Sequence, residues 1–458
     1  MNSDLSTALP GWQGVGIGRV YSSGFIQEAL NKGSSAGGGA IIGRLPRGGF
    51  RDLPPEVAGL TAVAFTVALG YGIAAPAIPQ FARQFGVSTA AAASVISVFA
   101  LVRVVGALPA GRLVNRVGEC AVMVTGIAVV AASSVLAGFS GSFAQLVAAR
   151  GAGGLGSAMY TVGAQTLLLA TVPGGQRGRA AGLFSGGFLV GAIAGPAVGG
   201  LVAEWSLRAP FLIYGVLLIV PAVITAVMLR GRPRAAPASQ PLTGPPLAGL
   251  ARALRSRAFR AAASATFADG FAATGVRSAI VPLFVLAVLH RSAAWTGIGF
   301  VVFAALNAAV LLPGGWAADA LGRRPVIVTG AIAGAGGMLM LALLPSLPGY
   351  LAGLAVAGLG SGLLDVAPAA MIGDLLAGPG GTLVASYQMA GDAGTVTGPV
   401  AAGFLVDRAS YAAAFELAAA VLGAAAVLAA LVPEGRPHRP AADPPPSGAA
   451  PPTPPHLA

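Results

Sequence analysis

The sequence predicts an all-α polytopic membrane protein made of two pseudo-symmetric six-helix bundles in tandem. Only 9% of the 458 residues are charged and 55% are hydrophobic, whereas a soluble globular chain is about a quarter charged. Apolar runs of about 20 residues recur along the chain, the length a helix needs to cross a bilayer core. Landmarks also recur at a nearly fixed offset. Pro109 and Pro313, Phe99 and Phe303, and Gly154 and Gly358 each differ by 204 positions; Pro79 and Pro282, and Gly195-Pro196 and Gly398-Pro399, differ by 203. Such self-similarity marks two related halves. The short alternating segments of a membrane β-barrel are absent.

Taken in order, residues 1–56 are polar and Gly-rich, lack a compact signal-peptide layout, and are expected to form a disordered cytoplasmic arm. The N-terminal bundle, 57–229, holds spans at about Val57–Gln80, Ala90–Pro109, Cys120–Phe139, Phe143–Leu169, Ala180–Ala203 and Phe211–Leu229. A Pro- and Arg-rich linker, 230–258, carries Arg230, Arg232, Arg234, Arg252, Arg255 and Arg257. The C-terminal bundle, 259–432, repeats the plan at about 259–289, 294–317, 325–345, 349–376, 381–406 and 410–432. The tail, 433–458, is Pro-rich and expected to be disordered.

Loop charge predicts orientation. The loops after even-numbered spans hold Arg112, Arg116, Arg177, Arg179, Arg323 and Arg324, and the opposite loops only Arg83, Arg208, Arg291 and Arg408. Basic loops stay in the cytoplasm, so the 2–3, 4–5, 6–7 and 8–9 loops and both termini are placed there. This distribution also accounts for the net charge of +12 without nucleic acid as a partner. Cys120 is the single cysteine, and no His/Cys cluster has metal-ligand spacing. Neither a metal nor a cofactor is expected.

The densest charge between apolar runs is Gly314–Arg324, and its near copy is Ala110–Gly118. The copies share Gly111 with Gly315, Asn115 with Asp319 and Gly118 with Gly322, and add Arg116, Arg323 and Arg324. A short loop with glycine at each end folds tightly against helix ends. Asp319 is then expected to accept from N–H groups at a helix start, where the dipole is positive. The arginines reach carboxylates or carbonyls, so the pair reads as cytoplasmic gating turns.

Two six-span halves, a basic central linker and these paired turns resemble the major facilitator superfamily over roughly 57–432. Arg150 and the glycines that follow it, Gly154 and Gly156, are similar to that family's span-four motif. Gly195–Gly200 resembles the span-five motif of its twelve-span drug:proton antiporters. The resemblance implies the major facilitator fold, alternating access and a multi-pass protein of the inner (plasma) membrane. Its expected partners are a small-molecule substrate, protons and the lipid bilayer, with the protein a monomer. Gly187, Gly191, Gly195 and Gly199, with Pro196, form a small-residue stripe on one helix face, echoed by Gly394, Gly398 and Pro399. Another helix can pack against such a stripe backbone to backbone, as a pivot.

The remaining charges inside spans are the candidates for the substrate or proton pathway: Arg103, Arg150, Asp269, Arg277, Asp365 and Asp392, with Tyr387 and Gln388 as polar lining. An Arg at a bilayer centre costs roughly 2.5–3.5 kcal/mol on insertion scales, so each should face a cavity or a partner. Pairing across the cavity between N-terminal arginines and C-terminal acids is the expected arrangement. Asp269, Asp365 and Asp392 are the candidate proton carriers, and Asp374, at a span end, a cap or latch. Pro76, Pro79 and Pro282 are expected to break helical bonding. No GxxxxGK[ST] loop is present and no HExxH or GxSxG pattern stands out, so a secondary transporter is favoured over an ATP-driven pump or an enzyme. Proton-coupled efflux of a small lipophilic compound is the first reading. A carrier of an anionic or sugar-like metabolite, held by Arg103 and Arg150 if anionic, is the alternative.

Overall fold

The computed structural model describes residues 54–172, 177–228, 255–375 and 381–432. The N-terminal arm, all of the 230–258 linker before Arg255, and the tail lie outside the described residues. Apart from short turns and bends, the described residues are helical, with no strand among them. Ten helical segments are long and apolar enough to cross a membrane.

The first half opens with α1 (Pro55–Ala74) and α2 (Ala77–Arg83), followed by α3 (Thr89–Val117), α4 (Glu119–Gly138), α5 (Phe143–Thr171) and α6 (Arg177–Trp205). It closes with α7 (Ala209–Leu217) and α8 (Ile219–Met228). The second half begins with α9 (Arg257–Asp269), which passes through a π-helical segment (Gly270–Val276) into α10 (Arg277–Ala287). Then come α11 (Ala293–Leu321), α12 (Arg323–Leu343), α13 (Leu347–Asp374), α14 (Gly381–Arg408) and α15 (Tyr411–Ala430). Serines begin the helices at one end of the molecule: Ser88, Ser142, Ser346 and Ser410 each accept a backbone N–H three residues on. This gives an unpaired N–H donor of the helix start its acceptor.

Two expectations need correction. The segments read as charged loops, 111–119 and 315–324, are mostly helix: α3 runs unbroken to Val117 and α11 to Leu321. Polar side chains do not end a helix whose backbone can keep its i→i−4 bonds. The chain turns only at Gly118 (φ 94°) and Gly322 (φ 101°), where an L side chain would be strained. Gly111 and Gly315 therefore sit inside helices. Span one does break beside Pro76, between Ala74 and Ala77, but Pro282 lies within the continuous α10. The irregularity of that span lies upstream, in the π segment, which no proline marks.

The duplication is visible in the packing. Within the first half α1 packs on α6, α4 on α5 and α3 on α5; within the second α11 and α12 pack on α13, and the π segment on α14. A Cβ on Gly154 would overlap the Phe99 carbonyl oxygen, and one on Gly358 the Phe303 carbonyl oxygen. Gly126 faces Gly156 at 2.7 Å as Gly330 faces Gly360 at 3.0 Å, measured from the position a Cβ would take. Gly72 meets the Pro196 ring at 2.9 Å, and Gly275 meets the Pro399 ring at 3.0 Å. The stripe residues Gly187, Gly191, Gly195 and Gly199 bear on Thr61, Phe65, Leu69 and Ile73 of α1; Gly394 and Gly398 bear on Phe267 and Phe271. Between apolar helices, close backbone approach of this kind replaces the hydrophobic effect as the source of affinity.

Gly154→Ala and Gly358→Ala are each expected to destabilise the protein by about 1–3 kcal/mol through overpacking. Gly336→Ala, where nothing lies within 4 Å, should be neutral or better. Thermal unfolding in detergent checks the contrast, and equal melting temperatures for all three would contradict it.

Candidate functional site

Among the described residues the halves meet chiefly along two crossings, α3 with α14 and α6 with α11, with smaller contacts of α10 on α2 and α3. In the first crossing Arg103 Nη2 donates to Asp392 Oδ1 at 2.8 Å, and the two side chains are 39% and 33% exposed. The pair joins an N-terminal cation to a C-terminal acid across the seam. Its partial exposure places it beside water. The seam continues toward the serine-capped end through Gln80 Nε2, which donates to the Pro282 carbonyl at 3.0 Å. It continues too through Gly200 and Gly297, whose backbones approach to 3.0 Å from the Cβ position.

The other two acids converge within the second half. Asp269 is half-buried at the start of the π segment, receives a hydrogen bond from the buried Ser361, and lies in the field of both Asp365 and Arg277. Asp365 is exposed and accepts from Asn307 Nδ2 at 2.8 Å. Arg277 donates from Nε to the Ala273 carbonyl at 2.6 Å, and its guanidinium lies over the Phe300 and Phe303 rings at 4.6 and 4.3 Å. A π turn widens the helix and frees backbone at such sites. Here it carries Asp269 and Arg277 at its two ends. Asp269 thus lies between the like charge of Asp365 and the guanidinium of Arg277.

Among the described residues, Arg150 has no acid partner. It is 2% exposed, its guanidinium stacks over Phe99 at 4.5 Å, and its Nε has no hydrogen-bond partner. Tyr71 and Tyr214 are its polar neighbours. Since Phe99 and Phe303 are equivalent in the duplication (303 − 99 = 204), each half holds one arginine over the same aromatic position. A ring face offers a buried cation its quadrupole at little desolvation cost. Tyr387 is buried and neighbours both Asp365 and Asp269, whereas Gln388 is exposed.

At the opposite end, Arg323 bridges Asp319 (2.8 Å) and Asp374 (3.1 Å) and donates to the Ala318 carbonyl. Asp319 thus pairs with the next helix's arginine and does not cap a helix start. Arg116, Asn115 and Arg324 project from the ends of α3 and α12, the first two exposed. Gly118 and Gly322 turn the chain at these ends, whereas Gly111 and Gly315 lie within α3 and α11. Among the described residues, no group of three or more His, Cys, Asp or Glu side chains could hold a metal ion.

Several residues escaped the sequence reading. Ser361 and Asn307 look like ordinary small polar residues of a span, yet they hold the two acids. Tyr71 looks like any aromatic residue of a span, and its position near both Arg150 and Arg277 depends on two remote helices. Asp407 reads as a solvated loop acid but accepts from Thr89 N and Ala90 N of the other half at 2.8 and 2.7 Å. Its only sequence signal is its neighbourhood to a helix end.

A family model described as the Major Facilitator Superfamily matches residues 60–271 and 262–457. The chain is similar to the quinolone resistance protein NorA of Staphylococcus aureus, 26% identical over 165 residues, 36% of this chain and 42% of that one. It is also similar to multidrug resistance protein 1 of Bacillus subtilis, 27% identical over 180 residues, 39% of this chain and 46% of that one. The chain thus spans less than half the length of the curated relatives it matches. Among solved structures, a bacterial homolog of the human lysosomal transporter Spinster, inward-facing and occupied, superposes with a TM-score of 0.69 at 16% identity, covering 82% of this chain and 96% of that one. A POT family transporter in complex with 5-aminolevulinic acid gives a TM-score of 0.71 at 12% identity, over 83% and 96%. At these identities the structural likeness speaks for the fold alone. With a family model matched in both duplicated halves, the chain belongs to the Major Facilitator Superfamily.

Proposed function

We propose that this transporter exports small lipophilic compounds in exchange for protons, by alternating access between twelve spans, with the Gly118 and Gly322 turns and both termini in the cytoplasm. The observation that carries the reading is the Asp269–Asp365–Arg277 cluster. There Asp269 lies beside the like charge of Asp365 and the guanidinium of Arg277, and Asp365 is exposed. A proton bound there, or a cationic or polarised substrate, neutralises the same charge, so occupancy by one disfavours the other. Competition of that kind is what exchange requires. The names of the two relatives, quinolone resistance and multidrug resistance, agree with this substrate class.

The orientation rests on charge: Arg112, Arg116, Arg323 and Arg324 crowd the turn end. The ties between halves run from Arg103–Asp392 to the serine-capped end, which fits a state closed outside and open to the cytoplasm. The Arg323 links to Asp319 and Asp374 stay within one half, leaving the two bundles free to part there. Arg150 favours a second reading. A buried guanidinium with an unpartnered Nε is a ready anchor for a carboxylate or phosphate, as an anionic metabolite carrier needs.

Efflux of a fluorescent lipophilic dye from cells expressing the protein tests the first reading. Efflux is expected to stop with a protonophore and to fall to background in Asp269→Asn and in Asp365→Asn, while Asp374→Asn retains most of it. Dye efflux that ignores the protonophore would overturn proton coupling. No dye efflux, with uptake of organic anions lost in Arg150→Gln, would select the second reading. For the seam, Asp392→Asn alone leaves Arg103 unpaired. The Arg103→Gln/Asp392→Asn double variant should regain part of the lost thermal stability, a coupling of about 0.5–1 kcal/mol for a pair this exposed. Strict additivity would show that the pair carries no net interaction.

A further inference from the structure

The far end of the seam carries a contact with features of a switch. Asp407, in the last turn of α14, turns both carboxylate oxygens to the start of α3, accepting from Thr89 N at 2.8 Å and Ala90 N at 2.7 Å. The Thr89 and Ser88 side chains lie beside it. Ser88 Oγ in turn accepts from Ala91 N at 3.2 Å, so the first-turn amides of α3 are all satisfied, two of them by a residue of the other half. An anion at a helix N-terminus gains from the backbone dipoles as well as from these bonds. One turn earlier, Gly403 makes the approach possible: a Cβ there would come within 2.6 Å of the Ala90 Cα.

The duplication supplies the comparison. Position 204 of α6 corresponds to 407 (407 − 204 = 203), and it holds Glu204. Gly200, equivalent to Gly403, packs on the start of α11 at Ala293 and Ala294 just as Gly403 packs on Ala90. Yet Ser292 caps α11 with no side-chain hydrogen bond. The same backbone crossing therefore occurs twice, but the multidentate acid cap is built at one crossing.

We propose that Asp407 is the latch of the outer gate, holding α3 to α14 while the protein is closed outside, and that opening to the outside requires it to release the α3 start. This rests on the alternating-access reading above. The contact suits a reversible catch. Asp407 and Thr89–Ala90 sit at the end of the bundle, so both sides recover hydrogen bonds from water on release. A latch buried among apolar helices would lose them outright.

The test uses full-length protein in proteoliposomes with Cys120→Ser as background. Spin labels are placed at Gln84→Cys and Arg291→Cys, exposed positions of the two halves at the outer end, and pulsed electron resonance reads the distance between them. In Asp407→Asn, nearly isosteric but with one acceptor replaced by a donor, and in Asp407→Ala, the closed-to-open ratio is expected to fall about tenfold, as for loss of hydrogen bonds to a charged group. Arg408→Gln, which removes a neighbouring charge outside the contact, should leave the distribution unchanged. An unchanged distribution in both Asp407 variants, or an equal shift in Arg408→Gln, overturns the latch. Dye efflux on the same samples separates the two claims. A distance shift without efflux in the parent protein would uphold the latch and reject export; efflux with no shift would reject the latch alone.

Discussion

The scarcity of solvent for charge governs this molecule. In a bundle of apolar helices every ion needs an opposite ion, an aromatic face or water, and the protein uses all three. Arg103 takes Asp392 across the seam. Arg150 and Arg277 lie on ring faces at equivalent places in the two halves. Asp269 lies beside the Arg277 guanidinium and the like charge of Asp365, which is exposed. The charge left over after these pairings stays movable, and the proposed proton exchange rests on it.

Glycine makes this placement possible. Close backbone contacts at Gly154 and Gly358, and at Gly72 and Gly275, fix α3 against α5 and α1 against α6, and likewise in the second half. The arginines and rings thereby come into register. The halves meet chiefly at α3 with α14 and α6 with α11, where a few polar ties and close backbone approaches at Gly200–Gly297 and Gly403–Ala90 join them. Breaking and remaking such ties is what rocking one bundle against the other requires.

The duplication was legible in the sequence because the close contacts demand glycine at fixed spacing: Gly126, Gly154 and Gly156 recur as Gly330, Gly358 and Gly360. The turns at Gly118 and Gly322 were legible for the same reason, although the charges around them disguised helix as loop. Partner choice was not legible. Three arginines and three acids inside spans admit several pairings, and only the relative rotation of α3 and α14 selects Arg103–Asp392. The π segment left no mark either, since Gly270–Val276 differs little in composition from any small-residue helix. Asp407 stayed hidden because a loop acid and a cross-half cap have the same local sequence.

The central claim is that substrate and proton compete for the Asp269–Asp365 charge, and proton release on binding measures it directly. Purified protein in weak buffer with a pH indicator receives a lipophilic dye whose own fluorescence reports binding. Binding is expected to acidify the medium in the parent protein, and to leave it unchanged in the Asp269→Asn/Asp365→Asn variant. Undiminished dye binding with no proton released from the parent protein would contradict the account.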